Sequence, residues 1–190
     1  MQEGLYMEYA KLGNTDIEVS KLCIGCMSFG KAGTMHDWTL DAQESEKVIK
    51  HALKLGINFF DTANCYSAGT SEEYLGQALK KNVARDKVVI ASKVYFNEGR
   101  LSKAAIEREI DGSLKRLGTD YLDLYIIHRF DFDTPIEETM GALADIVRQG
   151  KALYVGISNY DADQTRKALA VLKEHKVPCL IHQARYSMFD

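Results

Sequence analysis

The sequence predicts an α/β fold on parallel strands, a (β/α)8 TIM-type barrel with about six of the eight βα units present. Three observations predict it. Six short apolar runs begin about 30 residues apart, the length of one strand–helix unit. Stretches with a single apolar helical face separate them, and alternating strands and helices argue for a parallel sheet. No GxGxxG turn follows the first run, which leads into Cys26-Met27-Ser28-Phe29-Gly30, and no phosphate-loop GK[ST] occurs. A doubly wound nucleotide-binding sheet would carry such a turn. A barrel typically takes roughly 250 residues, and the chain has 190.

Taken in order, a β-hairpin comes first: Tyr9 to Leu12 and Glu18 to Lys21 flank Gly13-Asn14-Thr15-Asp16. The strand-like runs then span Leu22 to Met27, Ile57 to Thr62, Lys87 to Val94, Tyr121 to His128, Ala152 to Ser158 and Pro178 to Gln183. They are nearly continuous apolar runs, as expected of strands covered on both faces. Between them, Val48, Ile49, Ala52, Leu53 and Leu55 suit one helix face, and Ile106, Ile110, Leu114 and Leu117 suit another. Thr134-Pro135-Ile136-Glu137 reads as a helix start with a Thr cap, Pro first and Glu third. Asp161 with Gln164 offers a similar start. Gly56, Gly118 and Gly150 stand where left-handed helix ends are expected. Two prolines, no Ser/Gly-rich linker and no low-complexity run leave one incomplete barrel domain over 1–190.

A chain 46% hydrophobic and 27% charged has the balance of a soluble globular protein. A net charge of −3 implies no basic face, which argues against nucleic acid and anionic membranes as partners. The opening Met1 to Gly13 lacks the apolar core of a signal peptide, and no 18-residue apolar run predicts a membrane span. Four cysteines are not a disulfide framework, so a reduced, cytoplasmic protein is expected. Cys23 and Cys26, three apart on a strand, point to opposite faces, and no second ligand pair follows, so no metal site is expected. His51, His175 and His182 also lack partners at ligand spacing; His175 lies near a helix end, where a cation suits the dipole.

Chemistry gathers at the strand ends, which in a βα-barrel converge on one mouth. Asp61 ends the second run, with Tyr66 in the loop beyond. The third ends near Lys93, the fourth at His128, the fifth at Ser158-Asn159 and the sixth at Gln183. Each has an ordinary structural reading: Asp61 caps a turn, Lys93 is a solubilising charge, His128 a satisfied half-buried imidazole, Tyr66 a loop aromatic. Aspartate, lysine, histidine and an amide on successive strand ends are harder to read that way together.

Phe59 to Ser67 reads FFDTANCYS and Gly69 to Gly76 GTSEEYLG. ASKV spans Ala91 to Val94, YLDLYIIHRFD Tyr121 to Asp131, QGKALYVGISNY Gln149 to Tyr160, and HQARYSMF His182 to Phe189. These segments resemble, in family order and over the whole chain from the hairpin on, those of the aldo-keto reductases. HRFD and TPIEET resemble the branch holding potassium-channel β subunits and bacterial aryl-alcohol and sugar-phosphate reductases. The resemblance implies NADPH-dependent reduction of a small aldehyde or ketone to an alcohol. Tyr66 is then the general acid, Lys93 lowers its pKa from the ordinary phenol value near 10, Asp61 holds Lys93, and His128 orients the carbonyl oxygen. Ser158, Asn159 and Gln183, with Asp61, are the implied cofactor contacts. The resemblance supplies NADPH (NADP when oxidised); the residues alone leave NADH equally open.

Substrate-pocket residues are expected in the loops at the same mouth: Trp38 with Met35 and His36, Tyr95 with Phe96, and Arg129. The aromatics suit a hydrophobic or aromatic aldehyde, and Arg129 leaves room for a phosphorylated or acidic one. That Trp38 merely anchors its loop is an equally open reading. Family members run well past this length, adding two strands, a group that stacks on the nicotinamide and a basic segment for the adenosine phosphate. Without them the first and sixth strands would be open edges, and self-association through those edges is expected. The alternative to an enzyme is a catalytically inert truncated barrel or interaction module lacking the full cofactor site.

Overall fold

The computed structural model describes residues 6–189. The first five residues, which the signal-peptide reading includes, and Asp190 lie outside the described residues. Eight strands and five α-helices are described: β1 (Tyr9–Lys11), β2 (Glu18–Ser20), β3 (Cys23–Gly25), α1 (Ala42–Lys54), β4 (Phe59–Asp61), α2 (Thr70–Asn82), β5 (Val89–Val94), α3 (Lys103–Leu117), β6 (Leu122–Ile127), α4 (Ile136–Arg148), β7 (Ala152–Ser158), α5 (Ala162–Glu174) and β8 (Cys179–Gln183). The sheet order is β3-β4-β5-β6-β7-β8, each strand beside the next in sequence. A doubly wound sheet reverses its order at a switch point; a (β/α)8 barrel does not.

By contact the chain falls into two compact units. One holds the chain through Ala91 together with Lys115–Thr119, and the other holds Ser92–Leu114 and the chain from Asp120 on.

In the first unit β1 and β2 pair antiparallel, Ala10 opposite Val19, around the expected turn. Asn58 ties the hairpin to the approach to β4. Its side chain accepts from Ser20 N at 2.7 Å and donates to Glu18 O at 2.9 Å, and its own N–H reaches Ser20 Oγ. Parallel pairing follows, Gly25 beside Asp61 and Asp61 beside Ala91. Asp41 starts α1 by accepting from Gln43 N and Glu44 N, both at 2.9 Å. Ser45, Ile49 and Ala52 make its buried face. Val48 and Leu55, assigned to that face by pattern, are exposed, because a helix turns each residue about 100° from the last. Phe29, Phe60, Ile49 and Leu75 fill the core of this unit. Glu72, fully buried on α2, accepts from Arg116 Nε at 2.6 Å.

In the second unit β6 pairs with β7 and β7 with β8, all parallel, with an irregularity between Val155 and Gly156. Every residue of β5 and of β6 is buried, as the continuous apolar runs require. Tyr125, Leu124 and Ile126 of β6, Met140 and Leu143 of α4 and Leu172 of α5 are all buried in this unit. The capping box at α5 is present: Gln164 N donates to Asp161 at 2.8 Å, and Asp161 N to Gln164 at 3.0 Å. The expected Thr134 cap is not. α4 begins at Ile136 with no side-chain cap, and Thr134 Oγ1 donates instead to Asp131 at 2.7 Å, because a buried carboxylate competes for the hydroxyl.

Several strands are shorter than their apolar runs. Leu22 is 59% exposed ahead of β3, and Cys26–Ser28 turn into a 3-10 helix. Apolarity marks what is covered and not where ladder pairing stops. The helix ends at Gly56, Gly118 and Gly150 are left-handed, as the sequence reading has them.

Candidate active site

In the first unit Asp61 is the last residue of β4 and is 9% exposed. The chain leaves the strand through Thr62, whose N–H donates to Ala91 O at 2.9 Å and whose hydroxyl lies 3.0 Å from Ser71 Oγ. Ser71 Oγ in turn donates to Cys26 O at 2.6 Å. This buried chain fixes where the following turn begins. Tyr66, also 9% exposed, opens that turn. Behind it Ser67, Ala68 and Gly69 are left-handed in succession, with φ of 47°, 54° and 91°. Left-handed backbone costs roughly 1–2 kcal/mol at a residue with a Cβ. The turn lies close against Gly30, where a Cβ would stand 2.3 Å from the Ser67 Cβ, so only glycine leaves room for Ser67 there. Neither Ser67 nor Ala68 signals left-handed backbone by residue type, so this strained seat for Tyr66 had no mark in the sequence.

Trp38, in the same unit, stacks on His36 with ring centroids 4.6 Å apart. Trp38 is 57% exposed.

In the second unit Lys93 is 2% exposed, one residue before the end of β5, which rules out a solubilising role. His128 is the first residue beyond β6 and is half-buried; its N–H donates to Val94 O at 3.0 Å. Phe96 packs edge-on against its ring at 5.1 Å. Ser158 ends β7 and is buried, and Gln183 ends β8. Ser158 Oγ donates to Gln183 O at 2.6 Å. Asn159, left-handed at φ 55°, donates from its side-chain amide to His128 O at 3.2 Å and to Ser158 Oγ at 3.1 Å. His128, Ser158, Asn159 and Gln183 are therefore one hydrogen-bonded group. Tyr95 and Arg129 lie next to it, the guanidinium 5.9 Å from the Tyr95 ring centre.

Burial pushes the His128 pKa down to about 4, and the charges of Lys93 and Arg129 act in the same direction. The ring is therefore neutral at ordinary pH, with one N–H to donate and one nitrogen to accept. The consequence for stability has a definite sign. Between pH 6.5 and about 4 the unfolded chain binds a proton here that the folded chain does not. Stability is thus full above 6.5 and falls as pH drops through that window, by on the order of 2 kcal/mol after discounting for the exposed part of the ring. Urea midpoints of wild type and His128→Gln at about pH 7 and about pH 4.5 check this. The variant should lose less stability on acidification; equal losses would remove His128 as the cause.

The sequence reading missed two features at these strand ends besides the strained turn. Phe96 stood among the loop aromatics but not as the packing partner of His128. Asp131 stood in the HRFD segment, but nothing in the sequence marked it as the buried carboxylate that gathers Arg100, Thr134 and two backbone N–H groups.

The pattern of parallel strands in chain order, with polar groups at their C-terminal ends, is that of a (β/α)8 barrel. A solved structure of the thermostable aldo-keto reductase Tm1743, in complex with the inhibitor epalrestat, matches with a TM-score of 0.81 at 34% identity, over 97% of this chain and 64% of that one. A family model described as "Aldo/keto reductase family" matches residues 21–190. The chain belongs to the aldo/keto reductase family. It is 43% identical to versiconal hemiacetal acetate reductase of Aspergillus parasiticus over 82% of this chain and 52% of that protein. It is 37% identical to L-glyceraldehyde 3-phosphate reductase of Escherichia coli (strain K12), over 97% of this chain and 54% of the relative. The chain thus spans about half the length of the curated relatives it matches. Among the described residues no helix is long and apolar enough to cross a membrane.

Proposed function

We propose that this chain reduces an aldehyde or ketone to the alcohol with NADPH as cofactor. The observation that carries the proposal is the burial of Lys93 at the C-terminal end of β5, the strand after the one that ends in Asp61. Lysine is almost never fully buried unless paired. An ammonium held near a phenol favours phenolate, which brings the tyrosine pKa from about 10 toward the working pH. Under this reading Asp61 holds Lys93, and Lys93 tunes Tyr66. Tyr66 gives its proton to the carbonyl oxygen in reduction and takes it back in the reverse direction.

The state of His128 divides the labour. With a pKa of about 4, roughly one ring in a thousand is protonated at pH 7, too few for it to be the main acid. A neutral His128 instead points an N–H at the carbonyl oxygen and orients it, leaving proton delivery to Tyr66.

The residues present fit a nicotinamide. Asn159 is exposed and both its side-chain hydrogen bonds use the NH2, so its carbonyl oxygen is open to accept from a carboxamide N–H. Ser158, Asn159 and Gln183 would hold that end, with Asp61 as a further contact. When bound, NADPH supplies the hydride. The names of two relatives, a hemiacetal acetate reductase and a glyceraldehyde phosphate reductase, support a small carbonyl compound as the substrate class. The four cysteines are thiols, which suits the reducing cytoplasm.

NADPH binding by the purified chain tests the proposal. Quenching of Trp38, the only tryptophan, and calorimetry report binding, and loss of NADPH absorbance on adding an aldehyde reports turnover. Binding near micromolar with turnover is expected; no binding at millimolar cofactor would overturn it.

A further inference from the structure

We infer that Arg129 selects the substrate, holding an anionic group, carboxylate or phosphate, on the compound whose carbonyl is reduced. This rests on the carbonyl-reduction reading above and names the substrate class for it.

Arg129 follows His128 directly and is exposed. Its guanidinium stands 5.9 Å from the Tyr95 ring centre. Tyr95 meets Phe96 edge-on at 4.9 Å, and Phe96 meets the His128 ring at 5.1 Å. One contiguous cluster therefore runs from a cation, along an aromatic wall, to the imidazole assigned to the carbonyl oxygen. The charge of Arg129 is felt at that imidazole, where it helps to hold the ring unprotonated.

The same loop carries two carboxylates that would be the ordinary partners of Arg129, and neither serves it. Asp131 is 3% exposed. Burial pushes its carboxyl up, but donation from Thr134 Oγ1, from the N–H groups of Asp133 and Leu101, and from Arg100 more than offsets this, so it stays below the usual carboxylate range. All four donors approach from within the loop and from Arg100 and Leu101. Asp133 pairs with Arg100. Arg100 also stands 5.9 Å from the Tyr95 ring, so one aromatic ring lies near two guanidiniums. One of the two is neutralised by two acids. The other, Arg129, has no carboxylate within salt-bridge distance among the described residues.

A planar guanidinium with its fork unoccupied takes a carboxylate or phosphate with two parallel hydrogen bonds. Such a contact far from the reacting carbon is made equally in ground and transition states, so it acts on KM and leaves kcat nearly unchanged.

The test compares wild type with Arg129→Met on three aldehydes. 4-Nitrobenzaldehyde is neutral, 4-carboxybenzaldehyde has nearly the same shape with a charge, and glyceraldehyde 3-phosphate carries a phosphate. Wild type is expected to show lower KM for the anionic compounds, rising with salt. Arg129→Met should raise the anionic KM about tenfold with kcat little changed, and leave the neutral aldehyde within about twofold. An effect on the carboxylate alone, or on the phosphate alone, supports the inference and identifies the group. Arg129→Lys should rescue the phosphate more than the carboxylate, because a point charge lacks the fork. Turnover of the neutral aldehyde with the anionic KM unmoved by Arg129→Met overturns this inference and leaves carbonyl reduction standing. No turnover of any aldehyde overturns both.

Discussion

Tyr66→Phe should lower carbonyl reduction by at least about 100-fold, the range over which a positioned acid contributes being roughly 10²- to 10⁴-fold. The loss should fall on kcat, with NADPH binding kept, because only the proton donor is removed. Fold stability should change little. The ring stays to fill its 9%-exposed seat, and one hydroxyl hydrogen bond is worth on the order of 1 kcal/mol. His128 cannot replace the acid at neutral pH, since its ring is protonated only near pH 4. Steady-state rates with thermal unfolding of both proteins decide the matter. A variant that keeps its rate would remove Tyr66 from the mechanism and with it the reason for a buried Lys93.

The second large effect is on the fold. Gly76 lies inside α2, where helix propensity alone makes Gly76→Ala stabilising by about 0.5–1 kcal/mol. Packing reverses the sign. A Cβ at Gly76 would stand 2.2 Å from Leu117 O, 2.6 Å from Leu117 C and 2.7 Å from Leu117 Cα. All three are backbone atoms at the end of α3, and Leu117 is itself 4% exposed, so no side chain can swing away. The helices would have to part, and Arg116, the next residue, would be drawn from the buried Glu72. Overpacking of this kind costs about 3 kcal/mol or more. For a chain of this size that is a fall in Tm of roughly 6–12 °C. A Tm that rises, as propensity alone demands, would show that α2 and α3 approach less closely than this.

Much of the candidate site could be read before the fold was known, for a physical reason. Asp61, Lys93, His128, Ser158 and Gln183 each end an apolar run, and a polar residue at such a boundary stands out against what it interrupts. The packing of Phe96 on His128, the burial of Asp131 and the left-handed Ser67-Ala68 turn interrupt no pattern, and only the folded neighbours reveal them. Trp38 illustrates the intermediate case: its loop was found by sequence, while its stacking on His36 was not.

The sequence by itself determined the alternation of strand and helix, the antiparallel hairpin, the capping box at Asp161 and Gln164, and the order of the strand-end residues. These depend on hydrophobic periodicity and on hydrogen bonds that close within a few residues, so the code for them is local. Tertiary structure decided which face of α1 is covered, that Thr134 serves Asp131 and not α4, and that Arg100 and not Arg129 takes the loop acids. It also decided that Glu72 meets Arg116, 44 residues away, and that Arg100 meets Asp131, 31 residues away. A charged side chain has several partners of equal chemistry along the chain, and only distance and burial in the folded molecule choose among them.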